Sequence, residues 1–409
     1  MLEKKRVYKI NGKPSVIMLT PSFPRFRGDV YSPFVLECAK NIASQGIKVL
    51  VVSSGDKDAV NYNIHPNLKV ERFSYFMPKF LQKLTYSPGG IPEQIKKSTL
   101  AKIQFPFFML SLLLRTLSRA KRYDIIHSHW VMPGIAGVIV KKIFKKPLVV
   151  TVRENNTAIV ANNFLLRYVL KKADIIIVNN EQYERDILRI GVEKEKMRRI
   201  LNGVNDIFKP GNKADARTKL KVPNNKKIII FVGSLIQRKG PKDVMESFFR
   251  LKKKHKDLML VYIGEGALKE ELENEANKPP CKPDILFLGK KEPTEIKNWL
   301  NASDIFCLPT KKDGIPNAMV EAMACEVPVV MSNIGGIPDV IENWKSGIMV
   351  KPGNIDGFCS ALDALIRDKK KRERMGKEGR KALLKNGVDW GINASKHINI
   401  YNELMEKFK

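Results

Sequence analysis

Ile305-Phe-Cys-Leu-Pro-Thr-Lys-Lys-Asp-Gly-Ile-Pro-Asn-Ala-Met-Val-Glu-Ala-Met-Ala324 decides the fold class. Its four apolar residues, Ile305–Leu308, read as a buried strand that stops at Pro309. A polar loop with Asp313 and Gly314 follows. Pro316 stands where a helix's first residue would, because its fixed φ suits that position and its missing N–H is not needed there. Small and apolar residues then carry a helix to Ala324. Strand, short loop and helix in this order form half of a βαβ unit. The N–H groups around Ile315, Asn317 and Ala318 would make an anion site at the helix start. Glu321 lies eight residues after Asp313, so a loop carboxylate and a helix carboxylate would both meet hydroxyls of a sugar or ribose.

The same alternation extends in both directions. Upstream strands are expected at Val16–Thr20, Val49–Ser53, Asp124–His127, Leu148–Val152 and Ile175–Asn179. Further strands are expected at Ile228–Val232, Met259–Ile263, Ile285–Leu288, Val329–Ser332 and Ile348–Val350. Helical stretches such as Asp29–Gln45, Asp243–Lys254 and Leu268–Asn277 lie between them. Continuous apolar strands separated by helices predict an α/β fold with parallel sheets buried on both faces. The pattern breaks at Asn202–Asn224, which is rich in Gly, Pro, Asn and Lys. Two Rossmann-like domains are therefore expected in tandem, residues 1–207 and 208–385, with a helix over about 386–409 packing back on the first. Ligands of such sheets bind beyond the carboxyl ends of the strands, and facing domains would share a cleft.

Charge narrows the partners. The chain has 73 Lys+Arg against 42 Asp+Glu, a net +31. Residues 1–205 hold 35 cations and 15 anions, so +20 falls in the first half. This excess speaks for anionic partners and says nothing of the fold. A nucleic-acid binder would show a basic and aromatic module; none is visible, and an anionic membrane surface is the expected charged partner. Five cysteines without a C-x-x-C pair read as buried thiols in a reducing compartment rather than a zinc site. Met1–Pro14 lacks the apolar core of a signal peptide. The longest apolar run, Phe105–Leu114, is shorter than the ~20 residues a bilayer requires. The expectation is a cytoplasmic protein, peripheral on the inner face of the cell membrane. Ser74–Arg122 reads as a loop and then a helix over Phe105–Leu117 packed on the first sheet, with a basic-flanked element on an anionic membrane as the alternative.

A second segment carries chemistry: Phe231-Val-Gly-Ser-Leu-Ile-Gln-Arg-Lys-Gly240 lies between a strand and a helix. It would place Arg238 and Lys239 at a strand end, where paired cations suit a diphosphate. Together, at this separation, the two segments resemble glycosyltransferase family 4, retaining enzymes of the GT-B fold. The resemblance covers nearly the whole chain. Pro24–Val35 looks like the family's first loop, with Gly28 as its donor-facing glycine. Asp124-Ile-Ile-His-Ser-His129 looks like the D-x-x-H-x-H strand end, Ile200–Asn205 like the N-G-V-D segment, Leu260–Glu271 like the G-x-G turn, and Val330–Val340 like a further loop. Asp313 and Glu321 match the E-x7-E pair, and Lys239 the diphosphate-binding lysine.

The resemblance implies transfer of a sugar from a nucleotide diphosphate sugar to the hydroxyl of a glycan or lipid-linked acceptor, in cell-surface polysaccharide or glycolipid synthesis. It implies retention of configuration, closure of the domains over the donor, and no metal or other cofactor. Lys239, Arg238, Asp313, Glu321 and His129 take the catalytic positions. Gly28, Gly233, Ser234, Gly314, Ile315, Pro316 and Asn317 fall in the donor-binding segments, and Arg153 and His127 on the acceptor side. Three positions depart from the family pattern. Asp313 is one methylene shorter than the usual Glu. Ser234 replaces a phosphate-binding Arg. In Thr151-Val-Arg-Glu-Asn-Asn156, Arg153 stands for the usual histidine and Glu154 for a glycine. These departures leave a catalytically weakened scaffold as the alternative, ahead of a basic nucleic-acid-binding protein. Other signals are weaker. Gly264–Lys269 ends on Lys where a dinucleotide fingerprint has Gly or Ala. Asp56-Lys-Asp58 reads as a solvated turn. His127 and His129 share one side of a strand but have no third metal ligand nearby.

Overall fold

The computed structural model describes residues 12–29, 31–60, 62–87, 90–153, 160, 162–277 and 284–408. Glu154–Asn156 and Cys281 lie outside the described residues. The chain forms two compact units, residues 1–203 with 390–409, and residues 204–389. These divisions differ by a few residues from those drawn at 207 and 385. Val204 already belongs to unit 2, where it bridges Asp389 and its N–H donates to the Val388 carbonyl at 2.9 Å.

Unit 1 is built on seven parallel strands: β1 Ser15–Thr20, β2 Lys48–Ser54, β3 Leu68–Phe73, β4 Ile125–His129, β5 Leu148–Thr151, β6 Ile175–Val178 and β7 Met197–Arg199. Their order across the sheet is β3-β2-β1-β4-β5-β6-β7, with every neighbouring pair parallel. The chain reverses its direction of travel across the sheet between β1 and β4, which makes the loops after those strands the switch point. Helices α1 Pro33–Ser44, α2 Gly90–Lys97, α3 Thr99–Ala120, α4 Gly134–Phe144, α5 Phe164–Lys172 and α6 Glu181–Arg189 connect the strands. Alternate strand residues feed two cores. Leu50, Val52, Ile126 and Val150 meet α3, α4 and α5 on one side. Val16, Met18, Val49 and Ile125 meet α1 and the final helix of the chain on the other.

Three expectations change in unit 1. Helix α1 starts at Pro33, not Asp29, because the Asp29 carboxylate accepts from the Arg25 backbone and guanidinium and so holds the preceding loop folded. Arg25 also bonds Asp56 at 2.8 Å, so Asp56 is an ion-pair partner rather than part of a solvated turn. Helix α3 runs for 22 residues through Pro106, whereas the sequence suggested a shorter one; the Ser98 side chain caps its start by accepting from the Ala101 N–H. Among the described residues α3 alone is long and apolar enough, by length and composition, to cross a membrane.

Unit 2 repeats the plan with β8 Lys227–Val232, β9 Leu258–Ile263, β10 Ile285–Phe287, β11 Ile305–Leu308, β12 Val329–Ser332 and β13 Ile348–Val350. The order is β10-β9-β8-β11-β12-β13, again with parallel neighbours. Helices α7 Lys213–Leu220, α8 Pro241–Lys252, α9 Lys269–Ala276, α10 Pro293–Ala302, α11 Asn317–Ala324, α12 Ile355–Arg367 and α13 Lys369–Lys385 accompany this sheet, with α8, α10, α11 and α12 touching its strands, α7 lying on α10, and α13 on α11 and α12. Helix α14, Trp390–Lys407, then returns to unit 1 and packs on α1. Cys38, Cys307 and Cys325 are buried and free. Burial pushes the Cys38 thiol up to about 11, so it stays protonated.

Candidate active site

In unit 2 the switch point lies between β8 and β11, and the two chemistry-bearing segments are the loops that follow them. After β8 a single turn over Gln237–Lys239 presents Arg238 and Lys239. After β11 the loop carries Asp313 and Gly314. The structure joins them: the Lys239 ammonium bonds the Asp313 carboxylate, Thr310 Oγ1 donates to the same carboxylate oxygen at 3.2 Å, and Arg238 stands 3.8 Å from the other oxygen. Arg238 is itself held by the Lys312 carbonyl at 2.6 Å. Two cations against one carboxylate leave the group with a positive excess, in a half-buried place where charge-assisted bonds are strong.

Backbone packing fixes these loops. Gly264 has φ +144°, and a β-carbon there would overlap the Gly233 carbonyl, so the turn after β9 lies directly on the turn after β8. Gly335 has φ +56°, and a β-carbon there would strike the Asp313 carbonyl, while the Gly336 N–H donates to the Gly314 carbonyl at 3.1 Å. The loop after β12 thus braces Asp313 and Gly314. Pro316 takes the N-cap position rather than the first helical one; α11 begins at Asn317. Its first-turn amides still face away from the helix, as they do at every helix start. Ile315 and Gly314 are partly buried beside them, and Ser234 is exposed in the turn after β8. Glu321 retains partial surface exposure, yet protein surrounds its carboxyl closely enough to raise its pKa from 4.5 to about 7. Desolvation is the whole cause, and among the described residues no cation pairs with it.

Unit 1 carries a second cluster at its own switch point. His129 ends β4 and is fully buried. Arg153, just beyond β5, donates from Nε to His129 Nδ1 at 3.2 Å and from Nη1 to Asn202 Oδ1 at 2.8 Å, with its guanidinium 4.6 Å from the Phe34 ring centroid. A guanidinium can only donate, so His129 Nδ1 accepts and the ring proton of the neutral form is on Nε2. That Nε2 is buried and has no hydrogen-bond partner among the described residues. Burial first, then the neighbouring His127 and Arg153, hold the His129 pKa well below 6.5. Gly28 is exposed in the loop after β1, with φ +84°.

His127 requires a correction. It is fully buried, and both ring nitrogens are used, one with Tyr401 Oη and one with Thr151 Oγ1, each at 2.7 Å. Its ring stacks under His129 at 4.4 Å. It therefore supports His129 and has no nitrogen left for an acceptor. Asn202, Phe34 and Thr310 were not singled out in the sequence as site residues. All three lay in quoted segments, Phe34 in Pro24–Val35, Asn202 in Ile200–Asn205 and Thr310 in Ile305–Ala324, but none carried a signal of its own.

Two family descriptions match the chain. Residues 32–207 match "Glycosyltransferase Family 4" and residues 212–382 match "Glycosyl transferases group 1". An Escherichia coli protein described as UDP-Gal:alpha-D-GlcNAc-diphosphoundecaprenol alpha-1,3-galactosyltransferase is 30% identical over 277 residues, 64% of this chain and 71% of that protein. The chain belongs to glycosyltransferase family 4. This glycosyltransferase is also 27% identical to a D-inositol 3-phosphate glycosyltransferase of Corynebacterium jeikeium, over 74% of this chain and 77% of the relative. In fold it is similar to a sucrose-phosphate synthase from Thermosynechococcus elongatus, with a TM-score of 0.78 at 20% identity over 97% of this chain and 100% of that one. It is likewise similar to WaaG, a glycosyltransferase involved in lipopolysaccharide biosynthesis, with a TM-score of 0.67 at 14% identity over 94% and 99%. The two-unit, parallel-sheet architecture of the glycosyltransferase is the GT-B fold. Among its described residues no group of three His, Cys, Asp or Glu side chains is arranged to hold a metal ion.

Proposed function

We propose that this glycosyltransferase moves a sugar, with retention of configuration, from a nucleoside diphosphate donor to a hydroxyl of a glycan or lipid-linked acceptor. The observation that carries the proposal is the Lys239–Asp313–Arg238 group at the switch point of unit 2, beside the first turn of α11. The leaving diphosphate gains negative charge as the glycosidic bond breaks. Lys239 would exchange Asp313 for a phosphate oxygen, Arg238 would take a second oxygen, and the α11 amides would face the developing charge. Asp313, released, would accept from a sugar hydroxyl. Glu321, a desolvated carboxyl without an ion-pair partner among the described residues, suits the two hydroxyls of a ribose. These cations are the chain's own, so the proposal assigns charge stabilisation to them and requires no metal.

In unit 1, His129 and Arg153 would serve the acceptor. Retention rests on the family resemblance and on same-face attack assisted by the leaving group. The 30% identical relative is named for a diphosphoundecaprenol acceptor. That supports a place in cell-surface polysaccharide or glycolipid synthesis, with the protein peripheral on the cytoplasmic face of the membrane. The test is thermal stabilisation by UDP-, GDP- and ADP-sugars, followed by donor hydrolysis in the presence of EDTA. Stabilisation by at least one donor, and hydrolysis that survives EDTA, are expected. No stabilisation by any of them would refute donor binding.

A further inference from the structure

Helices α3, α4 and α5 lie on one side of the unit 1 sheet, because all three bury side chains in the same core: Phe108 and Leu112, Val140, and Val169. Helix α4 touches both of the others. The inward side of α3 is packed into the core, where Gln104 Oε1 alone among its buried side-chain atoms lacks a partner among the described residues. Its two buried polar side chains are bonded, Gln104 to the Leu81 carbonyl and Thr116 to the Leu112 carbonyl. Its outward side is also apolar. Ile103, Phe107, Leu110 and Leu114 follow spacings of four, three and four residues, so they form one line along the helix, and each is 50–56% exposed. Ile143 on α4 and Phe164 on α5 are exposed on the same layer, Phe164 by 82%.

Acids reach this layer only from neighbouring elements, Glu71 beside Arg115 and Arg119 and Asp174 beside Lys141, while the helices themselves carry cations alone. None of the three helices contains an Asp or Glu, while Lys102, Lys142, Lys171 and Lys172 are exposed on them. By contrast, α6 carries Glu181, Glu184 and Asp186 within nine residues. Exposed apolar lines on soluble surfaces are usually broken by charges of both signs.

We propose that this helix layer is the face by which the protein lies on an anionic phospholipid bilayer, with the outward line of α3 at the boundary of headgroups and acyl chains and the lysines against lipid phosphates. The inference deepens the membrane-peripheral reading given above and rests on it. A bilayer is the occupant that satisfies both features. A second copy of the face would bring lysines against lysines. A nucleic acid would meet the lysines but leave the line of Ile103, Phe107, Leu110 and Leu114 in water. Helix α3 does not span the bilayer, because its inward side belongs to the core of unit 1.

Co-sedimentation of the full-length protein with vesicles tests this. Vesicles containing phosphatidylglycerol should bind at least tenfold more tightly than pure phosphatidylcholine, with binding weakened by salt. The double variants Leu110→Glu with Leu114→Glu, and Lys142→Glu with Lys172→Glu, change exposed side chains only. Each should lose at least tenfold in vesicle affinity, with thermal unfolding and vesicle-free donor hydrolysis unchanged. Equal binding to both vesicles, or full binding by the variants, overturns the proposal. So does a dimer in solution that the leucine variant abolishes, or an oligonucleotide that outcompetes vesicles. Vesicle binding and donor turnover are read separately: a protein that binds vesicles but no donor refutes the transfer proposal alone, and one that turns over donor but ignores vesicles refutes this one.

Discussion

Glu321→Gln isolates one buried ionisation. The free carboxyl has a pKa of about 7 against an ordinary 4.5, because burial disfavours its charged form. A ribose diol donates hydrogen bonds, which favour the charged form. If only that form binds, apparent affinity scales with the ionised fraction, and nucleotide binding should tighten about tenfold from pH 6 to pH 8. At pH 7 about half a proton should leave per nucleotide bound. The same shift costs stability. With the folded pKa above the unfolded one, the folded state binds the extra proton between the two values. Stability is thus highest below 4.5 and falls as pH rises through 7, by at most about 3 kcal/mol. Glu321→Gln should abolish the pH dependence of binding and raise the melting temperature at pH 8 by several degrees, with little change near pH 4. Calorimetry in two buffers of different ionisation enthalpy reads the proton, and scanning calorimetry reads the stability. A wild-type affinity flat between pH 6 and 8, or a variant with the wild-type pH profile, would refute the assignment.

Three other changes bear on the remaining groups. Lys239→Ala removes a charged hydrogen bond of about 1.5–3 kcal/mol, so nucleoside diphosphate affinity should drop about ten- to hundredfold in isothermal titration while monophosphate affinity changes far less; equal losses for both would contradict a diphosphate role. Arg153→Met should cut sugar transfer and leave donor affinity within about twofold. Because Arg153 is one of the charges holding His129 low, after burial and His127, the His129 titration seen by NMR should move up toward 6.5 in this variant; an unmoved titration would deny the coupling. Gly264→Ala forces a β-carbon onto the Gly233 carbonyl and should destabilise unit 2 by about 3 kcal/mol, read as a fall in its calorimetric transition.

The interior strands were legible in the sequence because both of their faces are buried, which leaves uninterrupted apolar runs such as Ile228–Val232. The edge strands β3 and β7 were not, for the same reason in reverse. At an edge Lys69, Glu71 and Arg72, or Arg198 and Arg199, can stay in partial contact with solvent, and their charges hide the run. The sequence estimate of α3, Phe105–Leu117, followed the apolar run alone and so missed the more polar turns at its ends, Thr99–Gln104 and Ser118–Ala120. Of the site, residue types at loop positions were readable: Lys239, Asp313 and Glu321 each followed from a strand-loop-helix pattern. Their pairing was not, since Lys239 and Asp313 are 74 residues apart. His127 was misread because the hydroxyl that occupies it, Tyr401, comes from 274 residues downstream.

That last helix has a consequence for how the protein comes into being. Ribosomal synthesis delivers residues 204–389 as an uninterrupted stretch whose ends, Val204 and Asp389, already bridge each other. Unit 2 can therefore close while the chain is still growing. Unit 1 must wait for Trp390, against which Gly203 packs too tightly to carry a side chain, and for Tyr401, without which His127 has an unused nitrogen in the core. A nascent chain stalled before α14 would carry a finished second unit and an unfinished first one, and the His129 cluster would be assembled only once residues 390–409 have left the ribosome.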